Sequence, residues 1–93
     1  MSKMNCILFT AAWCPACPAM HSIWAAVRDS GDFPEIEFIE CSQEQSPEPF
    51  AQYKILSLPS IVFIHPDGYE FKMEGLQNEF TLRNQLELLV EES

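Results

Sequence analysis

Apolar residues alternate along the chain between strand-like and helix-like spacings. Asn5-Cys6-Ile7-Leu8-Phe9-Thr10 is a short, mostly apolar run, which predicts a central strand covered on both faces. From Cys14 on, Ala16, Met20, Ile23, Trp24 and Val27 recur at helical spacing until Ser30-Gly31 stops the pattern. This predicts a first helix of about four turns, with Cys14 at its N-cap and Pro15 at N1, where proline is favoured. Glu35-Ile36-Glu37-Phe38-Ile39-Glu40 alternates acidic and apolar side chains, as suits a strand with one wetter face or at a sheet edge. Ser46-Pro47-Glu48-Pro49 reads as a helix start, with Ser46 capping and both prolines in the first turn, where their missing N–H groups do no harm. The helix that follows, through Phe50 and Tyr53, is short.

Ser60-Ile61-Val62-Phe63-Ile64 is a continuous β-branched and aromatic run, and His65-Pro66-Asp67-Gly68 has the residue types of a tight turn. Tyr69, Phe71 and Met73 then alternate with Glu70, Lys72 and Glu74, which predicts a half-buried strand paired with the previous one as a hairpin. Gly75 breaks the pattern and Asn78 can cap a last helix, whose Leu82, Leu86 and Leu89 share one face and whose Glu79 precedes Arg83 at i,i+4. The predicted order is β-α-β-α-β-β-α, an α/β fold. The first strand, helix and second strand form a right-handed parallel crossover, and helices flank both faces of a four-stranded mixed sheet.

Composition narrows what such a fold can do. The chain of 93 residues makes one domain, 1–93, without room for a second. Five basic against fourteen acidic side chains give a formal charge of -9, which repels a nucleic-acid backbone. The apolar run in residues 1–10 is too short for a secretory leader or a membrane span. A cytoplasmic, reducing setting is therefore expected, in which four cysteines do not form a structural disulfide framework.

The cysteines need separate readings. Cys14 and Cys17 stand one helical turn apart after an apolar strand, where the positive end of a helix favours the thiolate that attacks disulfides. Cys17, on the same face, is placed to resolve a mixed disulfide formed on Cys14. Two blander readings stay beside this one: small core residues, or half of a zinc or iron–sulfur site. No second Cys-x-x-Cys or His-x-x-x-His exists to complete a metal site, and Cys6, Cys41, His21 and His65 fall on separate elements. Cys6 reads as apolar filler, whereas Cys41, at the end of the second strand, is a candidate auxiliary thiol.

The segment Phe9-Thr10-Ala11-Ala12-Trp13-Cys14-Pro15-Ala16-Cys17 resembles the active site of the thioredoxin family, and Ser57-Leu58-Pro59-Ser60-Ile61 resembles that family's cis-proline signature. The resemblance covers nearly the whole chain. It implies a protein-disulfide reductase with catalytic Cys14 and Cys17, and a substrate groove flanked by Trp13, Leu58, Pro59 and Gly75. It implies no cofactor beyond the redox-active Cys14–Cys17 disulfide and no metal. The implied partners are disulfide-containing proteins and an electron donor, either a thioredoxin reductase or the glutathione system; no nucleic acid or membrane is involved, and a monomer is expected. Without the resemblance, Trp13 is a partly buried aromatic anchor.

Departures from the family pattern are informative. Pro15-Ala16 places proline first between the cysteines, as in glutaredoxins, and the chain is of glutaredoxin size, without the family's additional N-terminal strand and helix. Leu8 stands where thioredoxins carry a buried acid, and Pro18 follows Cys17, where a basic residue is usual and where proline deletes an early helical hydrogen bond to Cys14. Glutathione sites of glutaredoxins use Thr-Val before the cis-proline and a Gly-Gly stretch ahead of the last helix. This chain has Ser57-Leu58 and Glu74-Gly75-Leu76-Gln77, and few basic residues, Lys54 and Lys72 among them, to meet glutathione's carboxylates. His21, i,i+4 from Cys17, is a candidate for the proton transfer that Leu8 cannot perform, against the plainer reading of an exposed helix histidine. A non-catalytic binding module or accessory subunit is the alternative of another class.

Overall fold

A computed structural model describes residues 4–91. Its elements are β1 (Met4–Thr10), α1 (Cys17–Asp29), β2 (Ile36–Ser42), α2 (Pro47–Gln52), β3 (Ser60–Ile64), β4 (Glu70–Glu74) and α3 (Glu79–Glu91), in the expected order. The four strands form one mixed sheet in the order β2-β1-β3-β4. β1 runs parallel to β2, with Leu8 opposite Glu40 and Thr10 opposite Ser42. It runs antiparallel to β3, which pairs antiparallel with β4. The acid–apolar alternation of β2 thus belongs to an edge strand, as its wetter face requires.

One face of the sheet packs under α1 and α3, where Cys6, Leu8, Ile61 and Phe63 meet Met20, Trp24, Val27, Leu82, Leu86 and Leu89. The other face packs under α2, where Ile7, Phe9, Cys41 and Val62 meet Phe50. Phe9 and Phe50 meet edge to face with ring centroids 4.9 Å apart. β1 therefore contributes apolar side chains to both cores, which explains why its sequence hardly alternates.

The turn after β3 is closed by hydrogen bonds from His65 N–H to Tyr69 O (2.8 Å) and from Gly68 N–H to His65 O (2.9 Å). Asn78 caps α3, its Oδ1 accepting from Thr81 N–H at 2.8 Å, and Glu79 accepts from Arg83 Nε at 2.8 Å. Asn78→Ala removes the partner of one orphan donor and is expected to lower stability by about 0.5–2 kcal/mol. A urea titration of the two proteins reads this directly as a lower midpoint at unchanged slope. Ser46 occupies the N-cap position of α2 as expected, but its side chain makes no capping hydrogen bond.

Two expectations are corrected. The first helix starts at Cys17 with Ala16 as N-cap, so Cys14 is not the N-cap and Pro15 is not at N1. A helix with Pro15 as its first residue would put Pro18 in the fourth position, where the missing N–H deletes the bond to Cys14 O. Starting at Cys17 puts Pro18 in the second position, where no bond is lost. The second correction is β4, which is largely exposed rather than half-buried: Tyr69 and Phe71 keep 58% and 39% of their surface. The leucine face of α3 is taken up by α1, β1 and β3; Met73 of β4 packs against that core partly buried, while Phe71 meets Phe63 at 6.0 Å between ring centroids from the exposed side.

Candidate active site

The loop from Ala11 to Ala16 leaves the C-terminal end of β1 and carries the first cysteine to the start of α1. Cys14 N–H donates to Ala11 O at 3.2 Å and Cys17 N–H to Cys14 O at 3.4 Å, a pair of tight turns that precede the helix. These turns bring the two sulfurs together: Cys14 and Cys17 are joined as a disulfide, with their Cα atoms 5.4 Å apart. The pair still lies at the N-terminal end of α1, where the helix field favours negative charge on sulfur.

Ala11, Cys14 and Cys17 form a small apolar cluster closed by Leu58. In this disulfide form Cys14 and Cys17 retain only 4% and 3% of their surface. Access is therefore narrower than a reactive thiol on a free turn would have. Both cysteines line a cleft of about 360 Å³, together with Thr10, Ala12, Pro18, His21, Glu40 and Glu44 among its walls.

The loop before β3 brings Leu58 against the cysteines, outside the lining of that cleft. The Leu58–Pro59 peptide is cis, as the resemblance implies, and Pro59 O accepts from Gly75 N–H at 2.8 Å. Gly75 has φ +88°, a conformation that side-chain-bearing residues rarely adopt. Ser57 Oγ donates to Glu74 Oε2 at 3.0 Å, and Gln77 N–H donates to Met20 Sδ at 3.3 Å, so the loop after β4 is tied to both the cis-proline segment and α1. Leu58 packs on the cysteines, and the next residue, Pro59, carries the hydrogen bond to Gly75.

Trp13 stands out from the surface with 65% of its area exposed. It is not a partly buried anchor. Its Nε1 donates to Gln43 Oε1 at 2.9 Å, while the neighbouring Ala12 N–H donates to Glu44 Oε2 at 3.1 Å. The Ala12 N–H, with Glu44's own N–H and the Ser42 hydroxyl behind it, holds the Glu44 carboxyl below the usual carboxylate range against the opposing effect of burial. These clasps from the loop after β2 hold the reactive loop at two successive residues. No spacing in the sequence singles out Glu40, Gln43 or Glu44 for the site. The signal for them is topological: parallel β1 and β2 end side by side, so whatever follows Ser42 must lie beside Ala11–Trp13.

His21 lies in the same cleft, half-exposed, with Nδ1 3.0 Å from Glu40 Oε2. Leu8 is fully buried in the α1/α3 core. Cys6 and Cys41 are free thiols. Burial pushes the Cys6 thiol up to about 12. Burial, with the Glu40 charge adding to it, also raises that of Cys41, whose side chain packs into the opposite, α2-covered face. Neither environment favours a thiolate. Among the described residues no group of three or more His, Cys, Asp or Glu side chains is placed to hold a metal ion, and no helix is long and apolar enough to cross a membrane.

A parallel crossover that presents a bridged Cys-x-x-Cys at the head of its helix, with a cis-proline opposite, defines a protein that exchanges thiols and disulfides. Comparison with known proteins places it further. The thioredoxin family profile matches residues 1–88, and the chain belongs to the thioredoxin family. It is 32% identical over 82 residues to a thioredoxin-like protein of Synechocystis sp., spanning 88% of this chain and 77% of that one. A thioredoxin of Methanocaldococcus jannaschii is 35% identical over 63 residues, 67% of this chain and 72% of that one. Among solved structures, thioredoxin from Fasciola hepatica superposes with a TM-score of 0.79 at 30% identity, covering 92% of this chain and 80% of the other. The chain is a thiol–disulfide oxidoreductase whose redox group is its own cysteine pair.

Proposed function

We propose that this protein reduces disulfides in protein partners. The observation that carries the reading is the Cys14–Cys17 bridge set on the floor of an open cleft beside an exposed tryptophan. In the reduced form Cys14 attacks a partner disulfide, forming one S–S bond and breaking another, and the displaced partner sulfur leaves as a thiolate. Cys17 then attacks Cys14 Sγ, which releases the second partner sulfur and restores the bridge. The partner chain lies across Trp13, Leu58, Pro59 and Gly75, with Trp13 held outward by Gln43 to meet it.

A protein donor, of the thioredoxin reductase type, suits the site better than glutathione. The cleft presents the Glu40 and Glu44 carboxylates and no lysine or arginine, so glutathione's own carboxylates are repelled rather than paired. A cytoplasmic monomer is the form in which we expect it to act. Insulin disulfide reduction tests the proposal, driven in parallel by NADPH with a thioredoxin reductase and by glutathione with glutathione reductase. Turnover with the first donor and little with the second is expected. Turnover with glutathione alone would favour the glutaredoxin-like reading that the order Pro15-Ala16 raises, and turnover with neither donor nor with dithiothreitol would leave a binding module.

A further inference from the structure

Resolution of a mixed disulfide requires Cys17 to lose a proton, and Leu8, buried in the core under α1 and α3, has none to exchange. A different pair of groups reaches the cleft from the side. His21, one turn along α1 from Cys17, and Glu40, the register neighbour of Leu8 on β2, both line the cleft that holds the cysteines. Their side chains meet, with Nδ1 and Oε2 3.0 Å apart.

Resting on the reductase reading above, we propose that His21 and Glu40 form a proton-transfer dyad for the resolving step, with His21 as the base for Cys17 and Glu40 as the residue that positions it. A carboxylate accepts only, so at neutral imidazole the contact fixes the proton on Nδ1 and leaves the Nε2 lone pair free. When Nε2 takes the Cys17 proton, the imidazolium formed is stabilised by Glu40 through a charge-assisted hydrogen bond. The Cys17 thiolate attacks Cys14 Sγ, the bond from Cys14 to the partner sulfur breaks with its electron pair going to that sulfur, and the proton passes from His21 to the departing thiolate. No further oxidant or reductant is needed.

The surroundings favour this pair over other candidates. The charged and titratable groups around the imidazole are Glu40 from β2, Glu44 from the loop after it, and the two cysteines. Glu44 is already committed to Ala12 N–H. On α1 itself, Arg28 feels the Glu40 charge from two turns further on but is paired with Asp29. The Trp24 ring, 6.0 Å from the imidazole, forms the apolar side.

Dithiodipyridine separates the two chemical steps, because Cys14 attack releases one equivalent of thiopyridone and resolution by Cys17 releases the second. With fully reduced protein in a stopped-flow instrument, His21→Gln is expected to slow the second release by on the order of 100-fold, the low end of what a positioned base supplies. Glu40→Gln, which keeps an acceptor but loses the charge, is expected to slow it about tenfold, the worth of one charge-assisted hydrogen bond. The double variant should be no slower than His21→Gln, as for two groups acting as one unit. In the variants lacking the imidazole the second release should depend on pH more steeply than in wild type, because hydroxide rather than a positioned base then removes the Cys17 proton. A second release at wild-type rate and pH profile in both His21→Gln and Glu40→Gln would overturn the dyad while leaving the reductase intact. Absence of the first release in wild type would overturn the reductase reading and the dyad with it.

Discussion

Cys14→Ser is expected to abolish disulfide reduction, by a factor on the order of 10³ or more, because no other group can replace an essential nucleophile. The structure argues against rescue by either remaining thiol. Cys6 is buried, with its thiol pushed up to about 12, and Cys41 packs into the opposite core with its thiol raised by burial and by Glu40. Both are therefore poor thiolates as well as poorly placed ones. Cys17→Ser should differ in kind: the first attack survives and the reaction stops at the mixed disulfide. Insulin turnover by the two variants checks the first statement, and a retained single release of thiopyridone from dithiodipyridine by Cys17→Ser checks the second. Full turnover by Cys14→Ser would remove the assigned chemistry altogether.

Trp24→Ala is expected to cost about 3–5 kcal/mol of folding stability. Trp24 keeps 1% of its surface and lies at the centre of the core shared by α1, α3 and the sheet. Its ring meets Phe38 edge to face at 5.9 Å and is covered by the Arg28 guanidinium at 5.0 Å. The indole N–H is buried without a hydrogen-bond partner among the described residues, so the stabilisation is packing. A chain of this size loses about 4–8 °C in Tm per kcal/mol, and a calorimetric scan should show the midpoint lowered by more than about 10 °C. Trp24→Phe should lose much less, since it keeps most of the contact and removes an unsatisfied donor. Equal losses for Ala and Phe would show that the indole N–H matters more than the packing.

Much of this architecture is legible in the spacing of apolar residues. β3 runs from Ser60 to Ile64 as its β-branched and aromatic run predicts, and α3 buries the leucines that its period selects. The fold of the thioredoxin family follows from that order of elements. What the sequence hides is set by competition or by contacts distant along the chain. Pro15 and Pro18 each qualify for a first helical turn, and only the three-dimensional chain path shows that the helix satisfies Pro18. The exposure of Tyr69 and Phe71 depends on where α3 lies, and no periodicity in β4 reports that.

The site divides in the same way. Cys14 and Cys17 carry a local signature, and Pro59 is picked out by the family resemblance. His21 carries only a helical offset, and its meaning changes once β2 brings Glu40 against it. Gln43 and Glu44 hold Trp13 and Ala12 across 30 and 32 positions of sequence. Such contacts are set by the parallel register of β1 and β2, a tertiary property with no spacing rule of its own.

The proposed reductase chemistry makes Cys14 the sulfur through which partners are reduced. Cys17→Ser protein, reduced and then mixed with oxidised insulin, tests it most directly by peptide mass mapping of the trapped adduct. A covalent complex joined through Cys14 that dithiothreitol dissolves is the expected result. A complex joined through Cys6 or Cys41, or no complex at all, would contradict it.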